Sequence, residues 1–390
     1  MSRWQEARNI LAVRMDNLGD IVMLGPALRA IKRASPDSRM TLLGNRSGVA
    51  AASIVPGIDD TIAYAPLWQH LGDGSSFKPA DDLALIELLA ERRFDAALIF
   101  TSFSQTPLVP AYVCYLAGIP LRAGESKEFG GAVLTDPVPT TPIEIHQVDR
   151  NLHLVEAVGF TPVGSELEIS IPDRARDAAT ALLNERGIGN HPFVLVHPGA
   201  SAPARRYAPE RFGAIARMLA EREAVLVTGT EREAEILAIV RREAPGVPVV
   251  AGETDLASYA ALVERAALVI CNDTLPMHLA DAVGTPAVVL FSGTDYESQW
   301  EPRNVPCRLL RRPTPCAPCF YITCPIGTPC LDIDPAQVVA VAEELLTENL
   351  SRVDRVPEAG LAPEGPVPIL TRHYAGGTSG IADRPGADSV

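Results

Sequence analysis

The sequence predicts an α/β protein made of two domains, each built on a parallel sheet. Its 390 residues are more than one ordinary hydrophobic core accommodates. Short apolar strand patterns alternate with helical patterns in both halves, and strands joined by helical crossovers form parallel sheets covered on both faces. A turn-rich segment at 160–173 separates the two alternations. We therefore expect two Rossmann-like domains, residues 1–170 and 171–350.

The first half contains four strand patterns and four helix patterns. Apolar runs such as DAALIF predict buried strands, whereas apolar residues spaced by three and four predict amphipathic helices. Strands are predicted at 10–15, 40–44, 61–64 and 95–100, and helices at 21–34, 81–92, 106–117 and 147–158.

The second half repeats the alternation. Proline in a first turn, as at Pro209, and glycine after a last turn, as at Gly284, mark helix ends. From 351 to 390, Pro, Gly and charges dominate without an apolar period, which predicts a mostly disordered tail. Strands are predicted at 193–197, 224–228, 247–250, 267–271 and 286–291, and helices at 175–187, 208–222, 231–243, 255–265, 275–283 and 335–347.

Composition excludes several classes of protein. The net charge of −14 argues against broad nucleic-acid binding, which depends on many Lys and Arg contacts to phosphates. No apolar run is long enough for a membrane-spanning helix, and the N-terminus reads as a first strand rather than a signal peptide. We therefore expect a cytoplasmic protein that does not bind nucleic acid.

The turn after the first strand is unusual because it is acidic. The segment RMDNLGD has the strand–turn–helix layout of a nucleotide-binding unit, yet it carries Asp16 and Asp20 and only one glycine, Gly19. A turn that cradles phosphate needs several glycines and no negative charge. Asp20 is either a helix N-cap or a catalytic carboxylate.

The loop after strand 193–197 contains a pair of arginines. Ligands of open α/β sheets bind at the carboxyl ends of the strands, and Ser201, Arg205 and Arg206 lie in that position. Adjacent arginines can grip a diphosphate, although both could simply face water. Glu231, after the next strand, could bind a ribose diol or only favour the start of a helix.

The segment NDTLPMHLADAVGTP predicts a well-capped helix start that could bind an anion. Asp273 and Thr274 suit a helix N-cap, and free N–H groups at a helix start attract phosphate. His278 falls in the first turn, beside the predicted phosphate. The cap alone would also explain most of this pattern.

Four cysteines crowd into one short segment, CAPCFYITCPIGTPC. Cys316, Cys319, Cys324 and Cys330 could bind a structural zinc ion, form a disulfide or simply lie in a packed loop. The spacing differs from that of ferredoxin clusters, so a redox centre is disfavoured.

Four segments together resemble a known family. They are RMDNLGDIVMLGPALRAIKRASPD, HPGASAPARRYAPERF, NDTLPMHLADAVGTP and CAPCFYITCPIGTPC, in that order. They resemble the family-9 glycosyltransferases, the ADP-heptose:lipopolysaccharide heptosyltransferases, over about residues 8–347. The resemblance implies a GT-B fold, in which two Rossmann-like domains with parallel sheets face across a cleft. The N-terminal domain would bind the acceptor and the C-terminal domain the nucleotide-sugar donor.

The resemblance also implies roles for individual residues. Asp20 matches the acidic residue after the family's loop glycine, which acts as general base, and Gly19 would let the substrate come close. Arg205 stands where the family commonly has a lysine that contacts the leaving diphosphate. The expected donor-binding residues are Gly19, Ser201, Arg205, Arg206, Glu231, Asp273, Thr274, Leu275 and His278, with Leu275 in place of a frequent glycine.

The function implied is inverting transfer of a sugar, heptose from ADP-heptose above all, to a lipopolysaccharide-core or related glycan acceptor, without a required metal. The enzyme would work in the cytoplasm, with peripheral contact at the inner membrane. A nucleotide-sugar epimerase, or a non-catalytic nucleotide-sugar-binding protein of the same fold, is the alternative. The sequence identifies neither the sugar nor the acceptor.

Overall fold

Two parallel sheets form the framework of the protein. A computed structural model describes residues 2–69 and 77–353. The strands of the first sheet are β1 (Asn9–Val13), β2 (Arg39–Gly44), β3 (Asp60–Ala63), β4 (Ala96–Ile99), β5 (Leu121–Glu125) and β6 (Asp136–Val138). Those of the second are β7 (Phe193–His197), β8 (Ala224–Gly229), β9 (Val249–Ala251), β10 (Leu268–Asn272), β11 (Ala287–Leu290) and β12 (Cys307–Leu310).

Both sheets have the same strand order. The first runs β3-β2-β1-β4-β5-β6 and the second β9-β8-β7-β10-β11-β12, with parallel neighbours throughout. The winding direction reverses between β1 and β4, and again between β7 and β10. Such switch points are where α/β sheets bind ligands, at the carboxyl ends of the strands. The predicted α/β fold with two parallel sheets is confirmed.

Helices cover the sheets. One predicted helix, 21–34, is in fact two, because Pro26 has no N–H to continue an unbroken helix. The helices are α1 (Leu18–Val22), α2 (Gly25–Ala34), α3 (Pro79–Arg92), α4 (Leu108–Leu116), α5 (Gln147–Ala157), α6 (Asp173–Glu185), α7 (Pro209–Leu219), α8 (Ala234–Glu243), α9 (Leu256–Arg265), α10 (Leu275–Val283), α11 (Glu297–Trp300) and α12 (Pro335–Val353).

The predicted domain limits remain predictions. Each sheet lies inside one of the two predicted domains, and the described chain as far as Asn349 belongs to one compact unit. The last predicted helix is longer than expected and ends at Val353. The rest of the predicted disordered tail at 351–390 lies outside the described residues.

One hydrophobic core contains side chains from both halves. Ile21 and Met23, at the start of the first half, belong to the same buried cluster as Met277 and Leu279 of α10. This shared core brings α1 and α10 together, and each of these helices begins at a switch point. The two switch points therefore face each other.

Polar contacts also join the halves beside that core. Nε2 of His146 lies 3.1 Å from the carbonyl oxygen of Glu301. Burial lowers the pKa of His146 to about 4, so the neutral ring donates this hydrogen bond near pH 7. Arg303 pairs with Asp149 at 2.7 Å. These contacts hold the start of α5 against the segment that follows α11.

Candidate active site

The acidic turn after β1 is organised around one buried arginine. Nε of Arg14 lies 2.8 Å from Oδ2 of Asp16, and Nη2 donates to Oδ1 of Asp20 at 2.9 Å. The main-chain N–H of Asn17 donates to the other oxygen of Asp20 at 3.1 Å. A buried guanidinium must be paired. Arg14 therefore offsets the charge of the turn and fixes the direction of the Asp20 carboxylate.

Asp16 has different surroundings from Asp20. Gln105, in the loop after β4, donates from Nε2 to Oδ1 of Asp16 at 2.6 Å. Burial raises the pKa of Asp16, against the lowering effect of Arg14 and with a further raising effect of Asp20. Asp16 thus ties the acidic turn to the neighbouring strand at the switch point. The sequence did not single out Arg14 or Gln105.

Asn272, at the carboxyl end of β10, shapes the loop that follows β7. Its buried Nδ2 donates to the carbonyl oxygens of Pro198 at 2.9 Å and Gly199 at 3.2 Å. Its Oδ1 accepts from the N–H of Tyr207 at 3.0 Å. One amide side chain thereby satisfies three main-chain groups. The loop that carries Arg205 is held at the second switch point.

Arg205 lies between carboxylates of both halves. Its Nη2 donates to Oδ2 of Asp295 at 2.6 Å, and its Nε lies 3.9 Å from Oδ2 of Asp273. Burial lowers the pKa of the guanidinium, but three carboxylates outweigh burial and raise it: those of Asp273 and Asp295 and, from the first half, that of Asp20. The predicted base and the predicted diphosphate ligand are therefore close enough to interact.

Two hydroxyls connect the carboxylates beside Arg205. Ser292 lies 3.0 Å from Oδ2 of Asp273, and Thr294 lies 2.7 Å from Oδ2 of Asp295. The two hydroxyl oxygens are 2.9 Å apart. Burial raises the pKa of Asp273 to about 7, against the lowering effect of Arg205. We call these five residues the Arg205 cluster.

Arg206 has a different environment from Arg205. Its Nε donates to the carbonyl oxygen of Ala200 at 2.7 Å and its Nη2 to that of Ser201 at 3.3 Å. The side chain thus secures its own loop, and Ser201 itself is exposed. The donor contacts predicted for Ser201 and Arg206 stay predictions.

Two glutamates stand at the carboxyl end of β8. Glu231, the predicted ribose ligand, is exposed and packs on Gly252, where an added Cβ would lie 2.4 Å from its Cγ. Glu233 is only 15% exposed and accepts from the N–H and hydroxyl of Thr230 at 2.8 and 2.9 Å. Its Oε1 occupies the space where Gly199 would have a Cβ. Glu233 therefore lies on the loop of Arg205; the Thr-x-x-Glu capping pattern could have identified it.

The start of α10 borders the Arg205 cluster. Thr274 is its N-cap residue, and the first N–H groups of a helix lack acceptors within the helix, which makes them an anion site. Leu275 packs against the shared hydrophobic core. The core thus accommodates a leucine at the position where the resemblance implied glycine.

His278 touches the acidic turn. A Cβ on Gly19 would lie 2.6 Å from Cδ2 of His278, so glycine at this position permits the approach of the imidazole ring. Burial lowers the pKa of His278 to about 4, and Arg205 adds to this effect while Asp20 opposes it. The ring is therefore uncharged near pH 7. The predicted approach of substrate to Gly19 stays a prediction.

We expect Gly19→Ala to lower turnover although alanine favours helix. The substitution should improve intrinsic helix propensity by about 1 kcal/mol. The added methyl group, however, would push His278 and the start of α10 away from Asp20. Transfer kinetics would measure the loss, with melting temperature as a check of folding. In a protein that already carries His278→Ala, adding Gly19→Ala should lower turnover much less than it does in the wild-type protein. An equal loss of turnover in both backgrounds would contradict the steric explanation.

The four-cysteine loop lies on the segment after β11. The N–H of Cys319 donates to the carbonyl oxygen of Gly293 at 2.9 Å, and that of Phe320 to Thr294 at 2.8 Å. The ring of Phe320 also lies 5.1 Å from that of Phe103 in the first half. The loop therefore contacts both the Arg205 cluster and the first half.

The thiols of this loop are free in the structure. Burial raises the pKa of the Cys330 thiol, and the nearby thiols of Cys324 and Cys319 raise it further. These three cysteines are therefore neighbours. Cys316, in contrast, is exposed. Within residues 2–69 and 77–353, no group of three or more His, Cys, Asp or Glu is arranged to hold a metal ion. The structure thus describes a packed loop, and a zinc ion or a disulfide stays a prediction.

Comparisons with known proteins agree with this architecture. The family model of glycosyltransferase family 9 (heptosyltransferase) matches residues 83–328. Lipopolysaccharide heptosyltransferase 3 of Escherichia coli (strain K12) is 25% identical over 294 residues, which are 73% of this chain and 82% of that protein.

Two solved structures show the same fold. The glycosyl transferase family 9 protein from Veillonella parvula DSM 2008 has a TM-score of 0.70 at 21% identity, covering 87% of this chain and 97% of that one. E. coli ADP-heptose lps heptosyltransferase II has a TM-score of 0.67 at 20% identity, covering 88% and 99%. The predicted GT-B fold is confirmed.

Proposed function

Because this chain belongs to glycosyltransferase family 9, we propose that it transfers heptose from ADP-heptose to a hydroxyl of a lipopolysaccharide-core or related glycan acceptor, with inversion at the anomeric carbon. The observation that carries the proposal is that the shared core and the contact of Gly19 with His278 bring the two switch points together, so that the charges of Asp20 and Arg205 interact. A base facing a diphosphate-binding cation is what direct displacement of a nucleoside diphosphate requires.

The donor binds to the second half. Arg205 contacts the diphosphate, and the first N–H groups of α10 add partial positive charge beside it. Glu233 or Glu231 accepts from the ribose hydroxyls, and the geometry favours Glu233 because its carboxylate lies on the loop of Arg205. These groups together suit a nucleoside diphosphate whose sugar points toward the first half.

The acceptor binds to the first half, and Asp20 removes the proton of its attacking hydroxyl. As that oxygen bonds to the anomeric carbon, the bond from this carbon to the diphosphate oxygen breaks and ADP leaves. Arg205 stabilises the charge that develops on the diphosphate. We propose that no metal is required, since the guanidinium and the helix start supply positive charge at the leaving group.

The test is a transfer assay with purified protein, ADP-heptose and a lipopolysaccharide-core acceptor, followed by NMR of the product. We expect a new glycosidic bond of inverted configuration. Retained configuration would contradict direct displacement. Conversion of ADP-heptose to an epimer would instead identify the epimerase alternative, and tight ADP-heptose binding with neither transfer nor hydrolysis would identify a binding protein.

We further propose that the enzyme works in the cytoplasm at the surface of the inner membrane. Free thiols suit a reducing compartment. No helix in the described part of the chain is long and apolar enough to cross a bilayer. Helix α4, which follows the loop of Gln105, exposes apolar and aromatic side chains that suit a membrane interface. They are Val109, Tyr112, Tyr115 and Leu116, each 41–53% exposed.

Changing this face of α4 should weaken membrane binding without affecting chemistry. We expect Tyr112→Glu with Leu116→Glu to lower co-sedimentation with vesicles of bacterial phospholipids, because two charges replace apolar contacts. Turnover on a short, water-soluble acceptor should stay at the wild-type rate. Ile326→Glu, at an exposed site in the second half, is the matched control. Equal vesicle binding by all three proteins would rule out α4 as the docking face.

A further inference from the structure

The hydrogen bonds of the Arg205 cluster require one more proton than its two hydroxyls supply. Asp273, Ser292, Thr294 and Asp295 form a chain of three contacts, of 3.0, 2.9 and 2.7 Å. Three hydrogen bonds need three protons, whereas the two hydroxyls supply two. With both carboxylates ionised, each hydroxyl would donate to its carboxylate, and the two hydroxyl oxygens would face each other without a proton between them.

Asp273 is the end of the chain that can hold the third proton. Asp295 is the carboxylate that pairs directly with the cation, because its Oδ2 accepts from Nη2 of Arg205 at 2.6 Å. Asp273 is 3% exposed, its Oδ2 lies 3.9 Å from Nε of Arg205, and its Oδ1 has no hydrogen-bond partner among the described residues. A proton on Asp273 would let it donate to Ser292, which would then donate to Thr294.

We infer that Asp273 takes up a proton from solvent when a nucleoside diphosphate binds to Arg205, and releases it when the diphosphate leaves. The inference rests on the proposed function, because it requires Arg205 to be the diphosphate ligand. The diphosphate engages the guanidinium that offsets the charge of Asp273 and brings further negative charge beside it. A carboxylate buried away from solvent responds to added negative charge by becoming neutral.

Two titratable groups near Asp273, Cys271 and His278, do not compete for this proton. Burial raises the pKa of the Cys271 thiol well above its usual value, so the thiol stays neutral. His278, whose pKa burial lowers to about 4, is neutral as well. Before the donor binds, burial raises the pKa of Asp273 to about 7, so this carboxyl is mostly ionised at about pH 8 and mostly protonated at about pH 6.

Calorimetry of ADP binding in buffers of different ionisation enthalpy measures the proton uptake directly. We expect uptake of close to one proton, about 0.9, at about pH 8, and little at about pH 6, where Asp273 already holds its proton. The phosphates of free ADP are fully ionised at the higher pH. ADP binding with no proton uptake at about pH 8 would overturn the inference, whereas failure of ADP to bind at all would count against the proposed function instead.

Two variants assign the proton to Asp273. Asp273→Asn should bind ADP at about pH 8 without proton uptake and at least as tightly as wild type, because its amide donates to Ser292 as the protonated acid would. Ser292→Ala should reduce the uptake, since an ionised Asp273 loses its hydroxyl donor and is protonated before ADP arrives. Asp177→Asn, at an exposed site on α6, should keep the wild-type uptake. Unchanged uptake in Asp273→Asn would overturn the assignment.

Discussion

Asp20→Asn should lower kcat about 10²–10⁴-fold while ADP binds as it does to the wild-type protein, because a positioned base typically contributes that much. Asparagine keeps the volume of the side chain but cannot take the acceptor's proton. The substitution also has a structural effect, since Arg14 donates to one oxygen of Asp20 and the N–H of Asn17 donates to the other. The new NH2 group must therefore face one of these donors.

Asp16→Asn is the matched control for this prediction. It likewise replaces a carboxylate paired with Arg14, but it leaves Asp20 in place. We expect a smaller fall in kcat, and melting temperatures of both variants would separate catalytic from structural losses. A folded Asp20→Asn protein that turns over at the wild-type rate would show that Asp20 is only a helix cap. Asp16 would then be the first residue to examine as the base.

Arg205→Ala should weaken ADP binding and lower kcat/KM about 10²–10³-fold, as loss of a charge-stabilising donor does. Charge-assisted bonds to the diphosphate act both before and during bond cleavage. The variant also leaves Asp273 and Asp295 without their cation, and breaking a buried ion pair costs about 3–5 kcal/mol. The melting temperature should fall most near pH 8, and the difference from wild type should narrow toward pH 6 as Asp273 becomes protonated.

Arg205→Lys tests how much of the Arg205→Ala effect comes from the lost positive charge and how much from the lost geometry of the guanidinium. Lysine keeps the positive charge but not the planar fork of the guanidinium, so part of the ADP affinity should return. Arg217→Ala, which removes an exposed arginine of α7, should leave ADP binding and kcat/KM unchanged. Wild-type ADP affinity in a folded Arg205→Ala protein would mean that the diphosphate binds elsewhere.

The sequence did not reveal three strands, β5, β6 and β12, for two different reasons. Strand β5, LRAGE, reads as polar, yet Arg122 and Glu125 are both buried in it. Nε of Arg122 donates to the carbonyl oxygen of Val133 at 2.7 Å, and Glu125 pairs with Arg150 at 2.9 Å. A local pattern cannot show such partners. The short strands β6 and β12 lie at sheet edges, where the apolar signal is weak.

Within the site, the residues that the sequence motifs indicated lie close together. The motifs did not indicate the residues that reach the site only because their strands are neighbours in the sheet. Asp20, Arg205 and Asp273 stand in recognisable segments and interact in the structure. Asp295 stands in no such segment; it is near Arg205 because β11 is the neighbour of β10. Gln105 reaches Asp16 for the same reason, since β4 adjoins β1. Applying the strand-end rule to these two strands would have identified both residues.

The separate hydrogen-bond networks of the two switch points have an evolutionary consequence. The acidic turn draws its hydrogen bonds from the first half and the Arg205 cluster from the second, so the two sites can diverge by independent substitutions. Two contacts between the halves lie beside these networks, Gly19 with His278 and Phe103 with Phe320. At these two pairs, a change on one side restricts what the other can become, and relatives that differ there should differ in both partners at once.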